Sequence, residues 1–215
     1  MKYKAALFDM DGTILDTLDD LHNALNVSLE SFGYPKVTRN QTRDYVGNGA
    51  ARLIKLALPE NTDEESFERV LAYFKQYYST HCRINTVPYE RIIEILLELK
   101  RRGVALAVVS NKAKPAVETL AAEIFPGIFD TAIGESGEMQ RKPAPDMVFA
   151  AAEALGAEKD ECVYIGDSEV DVMTAANAGM DCISVCWGFR DRAVLEQAGA
   201  RVIVEKVSDL INYIV

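Results

Sequence analysis

Asp9 and Asp11 flank a single methionine directly after the apolar run Ala5-Ala6-Leu7-Phe8, and a second pair, Asp167 and Asp171, follows the apolar run from Cys162 to Ile165. Ser110 and Asn111 stand in the same place after Val104 to Val109. An acid that closes an apolar run is desolvated at some cost. Gathering several acids costs more, because two unit charges about 4 Å apart repel by roughly 4 kcal/mol at an effective dielectric of about 20. A cation removes that penalty. An all-oxygen set of few carboxylates with room for water and phosphate suits Mg²⁺ better than a soft metal. The chemistry within reach is therefore metal-assisted work on an anionic group. Each residue also has a plainer reading: Asp11-Gly12 as a turn, Asp167 or Ser168 as a helix cap, Lys142-Pro143 as solvated loop. As a set they fit those plainer readings poorly.

The elements that must position these residues are readable from the apolar pattern. Short apolar runs at Ala5 to Phe8, Val104 to Val109, Thr131 to Ile133, Cys162 to Ile165 and Cys182 to Val185 predict buried strands, with Arg201 to Val204 a weaker sixth. Amphipathic stretches at Tyr89 to Arg102, Pro115 to Ile124, Pro145 to Leu155, Glu169 to Ala178 and Ala193 to Ala198 predict helices between them. Alternation of this kind predicts an α/β fold, a Rossmann-like, mostly parallel sheet with helices on both faces. In such sheets ligands bind beyond the carboxyl ends of the strands, which is where the acids stand. From Asp16 to Asn85 the alternation stops, and Leu18, Leu21, Leu25 and Leu29, then Phe67, Val70, Leu71 and Phe74, show helical periodicity alone. Residues 1–15 and 86–215 are thus expected to form the α/β core and residues 16–85 a helical subdomain inserted after the first strand.

Composition narrows the function classes. The chain has 215 residues, 49% hydrophobic and 26% charged, with a formal net charge of -10. That is an ordinary globular balance, and the acidity argues against nucleic acid as a partner. A small phosphorylated metabolite remains possible if a metal or a few lysines supply local positive charge. Cys82, Cys162, Cys182 and Cys186 lack CxxC spacing and read as free thiols, and with only two histidines a zinc site is not expected. No apolar run has the length of a membrane span, and acids interrupt the N-terminal run, so the expected location is the cytoplasm. The chain is expected to act as a monomer or homodimer.

Asp9-Met10-Asp11-Gly12-Thr13 resembles the DxDGT signature of the haloacid dehalogenase-like phosphatases. Val108-Val109-Ser110-Asn111, Arg141-Lys142-Pro143 and Gly166-Asp167-Ser168-Glu169-Val170-Asp171 match that family's remaining motifs in order and spacing, and the likeness covers nearly the whole chain. The resemblance implies that Asp9 is a nucleophile that takes the phosphoryl group as an aspartyl-phosphate. It implies that Asp11 protonates the leaving alcohol and then activates water. Asp9, the main-chain carbonyl of Asp11 and Asp167 would hold Mg²⁺, with Asp171 orienting that site. Ser110, the main-chain N–H of Asn111 and Lys142 would bind the phosphoryl group. No other cofactor is implied.

The insert resembles the family's helical cap, with a hinge in or beside Asp16 to Asp20. Within it, Gly47, Asn48 and Gly49 let the backbone approach a ligand closely, although a plain turn between helices explains them equally well. Val46-Gly47-Asn48-Gly49-Ala50 looks like the corresponding segment of phosphoglycolate phosphatases, and Arg43 or Arg52 would then be available to a substrate carboxylate. An inorganic pyrophosphatase, a nucleotidase and a β-phosphoglucomutase-like mutase are the alternatives within the family; Thr13, where such mutases carry an apolar residue, favours hydrolysis. A receiver-type phosphoacceptor domain is the rival from another class. Its acceptor follows a later strand of a shorter, uninterrupted domain, and this sequence disagrees on each count.

Overall fold

The computed structural model describes residues 2–215, and the chain divides into two compact units, residues 1–15 with 88–215 and residues 16–87. In chain order, β1 (Ala5–Phe8) leads through a tight turn to the short β2 (Leu15–Asp16). Four helices follow: α1 (Leu18–Ser31), α2 (Arg39–Tyr45), α3 (Gly49–Ala57) and α4 (Glu64–His81). The short β3 (Val87–Pro88), which pairs with β2, precedes α5 (Ile92–Arg101) and β4 (Ala105–Ala113). Alternation then resumes with α6 (Lys114–Ile124), β5 (Thr131–Glu135), α7 (Asp146–Ala154), β6 (Cys162–Gly166) and α8 (Glu169–Ala178). The last elements are β7 (Asp181–Val185), α9 (Arg192–Gln197), β8 (Ile203–Val204) and α10 (Ile211–Ile214).

The larger unit is built on a six-stranded sheet in the order β5-β4-β1-β6-β7-β8, every pair parallel. β1 lies in the middle, with Ala5 opposite Ala105 on one side and Cys162 on the other. All four of its side chains are fully buried, as a parallel strand covered on both faces requires. From β1 the chain builds outward to β4 and β5 on one side and then returns to build β6, β7 and β8 on the other. The reversal leaves a crevice at the carboxyl ends of β1 and β6, the standard place for a ligand in such a sheet. Met147, Val148 and Ala151 of α7 join Leu7, Val109 and Tyr164 in the apolar core.

One strand departs from the expectation. β4 does not stop at Val109 but runs to Ala113, and its pairing skips: Ser110 opposes Gly134, and the next pair is Ala113 with Glu135. Asn111 and Lys112 are therefore two extra residues in β4 against none in β5. A bulge of this kind re-aims side chains and is common beside functional sites. Gly134 is needed opposite it, because a Cβ there would lie 2.6 Å from the Cα of Lys114.

The helical unit is held by apolar stripes and by one acid. Leu21, Leu25 and Leu29 of α1 and Val70, Leu71 and Phe74 of α4 are buried, and α1 and α4 pack together. Thr38 and Gln41 close a capping box on α2, and the Asp63 side chain accepts from Ser66 N to cap α4. Asp20, in the first turn of α1, accepts from the main-chain N–H groups of Ile84, Asn85 and Thr86 at 2.9–3.0 Å and from the side chains of Asn85 and Thr86 at 2.8 Å. This ties the end of the insert to its beginning. Burial alone would raise the Asp20 pKa, but the donors from Asn85 and Thr86 outweigh it and hold the carboxyl below the usual range. Asp20→Ala should lower the unfolding free energy by roughly 3 kcal/mol in a urea titration at pH 7, since hydrogen bonds to a charged group are lost and donors are left buried. A depressed carboxyl stabilises the fold above its unfolded pKa, about 3.9, and loses that contribution as pH falls through the lower folded value. The difference between Asp20→Ala and wild type should accordingly shrink below about pH 4.

Candidate functional site

Asp9 continues the ladder of β1, its N–H donating to Ile165 O at 2.8 Å, so its side chain starts at the crevice between β1 and β6. It is 7% exposed. The Lys142 ammonium, itself almost wholly buried, sits 2.8 Å from Asp9 Oδ1, 2.8 Å from Asp171 Oδ1 and 2.9 Å from the Tyr164 hydroxyl. The approach to Asp9 is an ion pair rather than an aligned hydrogen bond, and Asp9 Oδ1 has no hydrogen-bond partner. Asp171 is spoken for: Oδ1 accepts from Lys142 and Tyr164, and Oδ2 accepts from the N–H and hydroxyl of Ser168 in a capping box at the start of α8. Gly166 lets this carboxylate in, since a Cβ there would lie 2.2 Å from the Asp171 Cγ.

Asp167 follows β6 and is clamped from two sides. Thr13 Oγ1 donates to its Oδ1 at 3.1 Å and Phe189 N to its Oδ2 at 2.7 Å. The loop after β7 is seated by the Trp187 indole N–H, which donates to Thr13 O at 3.0 Å. Two glycines make room for this clamp. Gly12 has φ 86°, and a Cβ on it would lie 2.3 Å from Asp167 Oδ2; one on Gly188 would lie 2.3 Å from Gly12 O.

Asp11 occupies different surroundings. Lys112 Nζ reaches both of its carboxylate oxygens, at 2.7 and 3.0 Å, and the lysine side chain is 4% exposed. Lys112 is aimed there by the bulge in β4, where its N–H donates to Ser110 Oγ at 3.3 Å. The neighbouring Asn111 carboxamide donates to Lys142 O at 3.0 Å and so steadies the segment carrying the other lysine.

Two lysines thus face four acids. Burial pushes the Asp9 carboxyl up to about 7, with Asp171 and Asp11 adding to the rise and Lys142 opposing it. Asp167 is raised well above the usual range, first by burial and then by Asp171 and Asp9. Lys142 is held charged despite its burial by Asp171 and Asp9. The site is short of positive charge. Ligand oxygens of Asp9, Asp167 and Asp171 lie within 4.8 Å of one another. Asp171 takes two donors on each oxygen, whereas Asp167 takes one on each and Asp9 Oδ1 meets Lys142 only as an ion pair, so Asp9 and Asp167 keep lone pairs for a hard divalent cation. The residues present fit such a cation.

Asp9, Asp11, Ser110, Asn111, Lys142, Asp167 and Asp171 all lie in the larger unit, most of them at or just beyond the carboxyl ends of its strands, with Lys142 in the loop between β5 and α7 and Asp171 in the first turn of α8. Gly47, Asn48 and Gly49 belong to the helical unit, Gly47 and Asn48 between α2 and α3 and Gly49 opening α3; φ of 123° at Gly47 and 78° at Gly49 explains both glycines. Sequence reasoning missed Lys112, Tyr164 and the Trp187-Gly188-Phe189 clamp. The one available signal was position, since the clamp follows an apolar strand as the motif residues do. Gly188→Ala should displace Asp167 and weaken binding of a divalent cation at these carboxylates by about 10–100-fold, the usual cost of disturbing groups that orient a ligand. Trp187 fluorescence during a Mg²⁺ titration reads this directly.

Residues 6–185 match the sequence profile of the haloacid dehalogenase-like hydrolases. The chain is 30% identical over 214 residues to phosphoglycolate phosphatase 1 of Pseudomonas aeruginosa, covering 97% of this chain and 78% of that protein. It is 34% identical over 190 residues to the phosphoglycolate phosphatase of Rhodobacter capsulatus, covering 86% and 85%. Among solved structures it is similar to a protein from Lactobacillus delbrueckii subsp. bulgaricus provisionally described as a phosphoglycolate phosphatase, with 43% identity, a TM-score of 0.95, and coverage of 100% and 99%. No helix among the described residues is long and apolar enough to cross a membrane.

Proposed function

This chain is a phosphatase of the haloacid dehalogenase-like hydrolase family, and on that premise we propose that it hydrolyses 2-phosphoglycolate with Mg²⁺, by way of a phosphoryl group carried on Asp9. The observation that carries the mechanism is the contrast between the two neighbouring acids. Asp9 is buried with its Oδ1 ion-paired to Lys142 but without a hydrogen bond, whereas Asp11, two residues on, is paired to Lys112 outside that cluster. Two carboxyls in different surroundings are what nucleophile and proton carrier require.

In this reading a carboxylate oxygen of Asp9 attacks phosphorus while Lys142 faces the charge that gathers on the phosphoryl oxygens. Ser110 and the Asn111 N–H hold the phosphoryl group in line with Asp9. Asp11 delivers its proton to the departing alkoxide, then takes one from the water that cleaves the acyl phosphate and restores Asp9. Asp9, Asp167 and the main-chain carbonyl of Asp11 would hold Mg²⁺. Bound there, the ion supplies the missing positive charge and draws electron density from the phosphoryl oxygens. Residues 16–87 serve as the cap subdomain.

The substrate rests on the names of several relatives at 30–34% identity. The test is a kcat/KM panel of 2-phosphoglycolate, pyrophosphate, hexose phosphates and nucleoside monophosphates, each with Mg²⁺ and with EDTA. Phosphoglycolate should lead the panel and EDTA should stop release. A higher kcat/KM for pyrophosphate or a nucleotide would replace the substrate, and undiminished release in EDTA would remove the metal.

A further inference from the structure

Lys112 is a nearly buried cation with a carboxylate partner, yet it lies outside the Asp9, Asp167, Asp171 and Lys142 cluster whose charge it does not balance. Three features show that it is placed rather than incidental. The β4 bulge adds two residues to turn it inward, its N–H is tied to Ser110 Oγ, and Gly134 leaves the space that the bulge occupies. Its ammonium bridges both oxygens of Asp11. An Asp11 that carries a proton to the ester oxygen of a substrate loses its negative charge, and so weakens as a partner for Lys112. A nearly buried ammonium whose carboxylate is weakened in this way is a favourable place for another anionic group.

We propose that Lys112 selects substrates whose leaving group carries a second negative charge next to the ester oxygen, by exchanging part of its contact with Asp11 for a contact with that anionic group. The inference rests on the reaction proposed above and deepens its substrate class to short phosphorylated carboxylic acids. In 2-phosphoglycolate one methylene separates the ester oxygen from the carboxylate. A cation already touching the acid that protonates this oxygen is therefore within reach of the carboxylate as well. The sequence offered Arg43 or Arg52 of the helical insert to a substrate carboxylate; Lys112 of the core unit is the candidate whose contact with Asp11 is visible.

The test compares kcat/KM for 2-phosphoglycolate and for its neutral amide in the Mg²⁺-loaded wild-type protein and in Lys112→Met, with Lys112→Arg as the charge-keeping variant. Wild type should prefer the acid. Lys112→Met should slow both substrates, because Asp11 loses its partner, but should narrow the acid-to-amide ratio at least about tenfold, the worth of one charge-assisted hydrogen bond. Most of the narrowing should appear in KM, and Lys112→Arg should recover part of it. A ratio unchanged in Lys112→Met overturns the proposal while leaving the proposed reaction standing. A wild-type protein that turns over acid and amide equally overturns it too, whether or not the variant folds. Failure of the wild type on phosphoglycolate, with turnover of uncharged phosphate esters, removes the proposed substrate and this inference together.

Discussion

Asp9→Asn should leave a folded protein whose phosphate release falls by at least about 10⁴-fold, the scale on which loss of a nucleophile is felt. The amide keeps the size of the side chain and its place at the end of β1 but has no anionic oxygen with which to attack phosphorus. Fold retention follows from the same electrostatics. The Asp9 carboxyl is pushed up to about 7, so its charge is disfavoured where it stands, and a neutral isostere relieves the burial and the repulsion from Asp171. In metal-free buffer at pH 8 the variant should melt no lower than wild type. Near wild-type turnover would mean that another residue attacks phosphorus.

Lys142→Met is expected to fail in a different way. Its ammonium is the shared partner of Asp9, Asp171 and Tyr164, and the side chain is 1% exposed. Removing one member of a buried charge set leaves the others uncompensated, typically at a cost of about 3–5 kcal/mol. The variant should therefore lose both stability and turnover, whereas Asp9→Asn loses turnover alone. Thermal melts with and without Mg²⁺ separate the two effects. A Lys142→Met protein as stable as wild type would show that the acids are not held together by this lysine.

The parts of this architecture that depend on local pattern were legible in the amino-acid sequence. β1 and β6 are buried on both faces, so they read as unbroken apolar runs, and their ends coincide with Asp9 and Asp167. α8 was readable to the residue because Ser168 and Asp171 cap it and Gly179 stops it in the left-handed conformation. The parts that depend on distant neighbours were not legible. Lys112 reaches Asp11 because β4 bulges against β5, a register that no single strand reveals. Tyr164 looked like one more strand residue, and its role comes from Lys142, 22 positions away. The clamp at Trp187 to Phe189 depends on contacts with Thr13 and Asp167 made only in the folded chain. Asn111 was expected to serve through its backbone N–H, and its side chain has a second task in holding Lys142 O.

The central claim is that the phosphoryl group passes through Asp9, and acid quenching during steady-state turnover tests it most directly. Protein quenched with labelled substrate and Mg²⁺ should carry one phosphoryl group on the peptide containing Asp9, labile to hydroxylamine as an acyl phosphate is, and Asp9→Asn should carry none. Label on another residue, or full turnover with no labelled protein in the burst phase, would contradict the account.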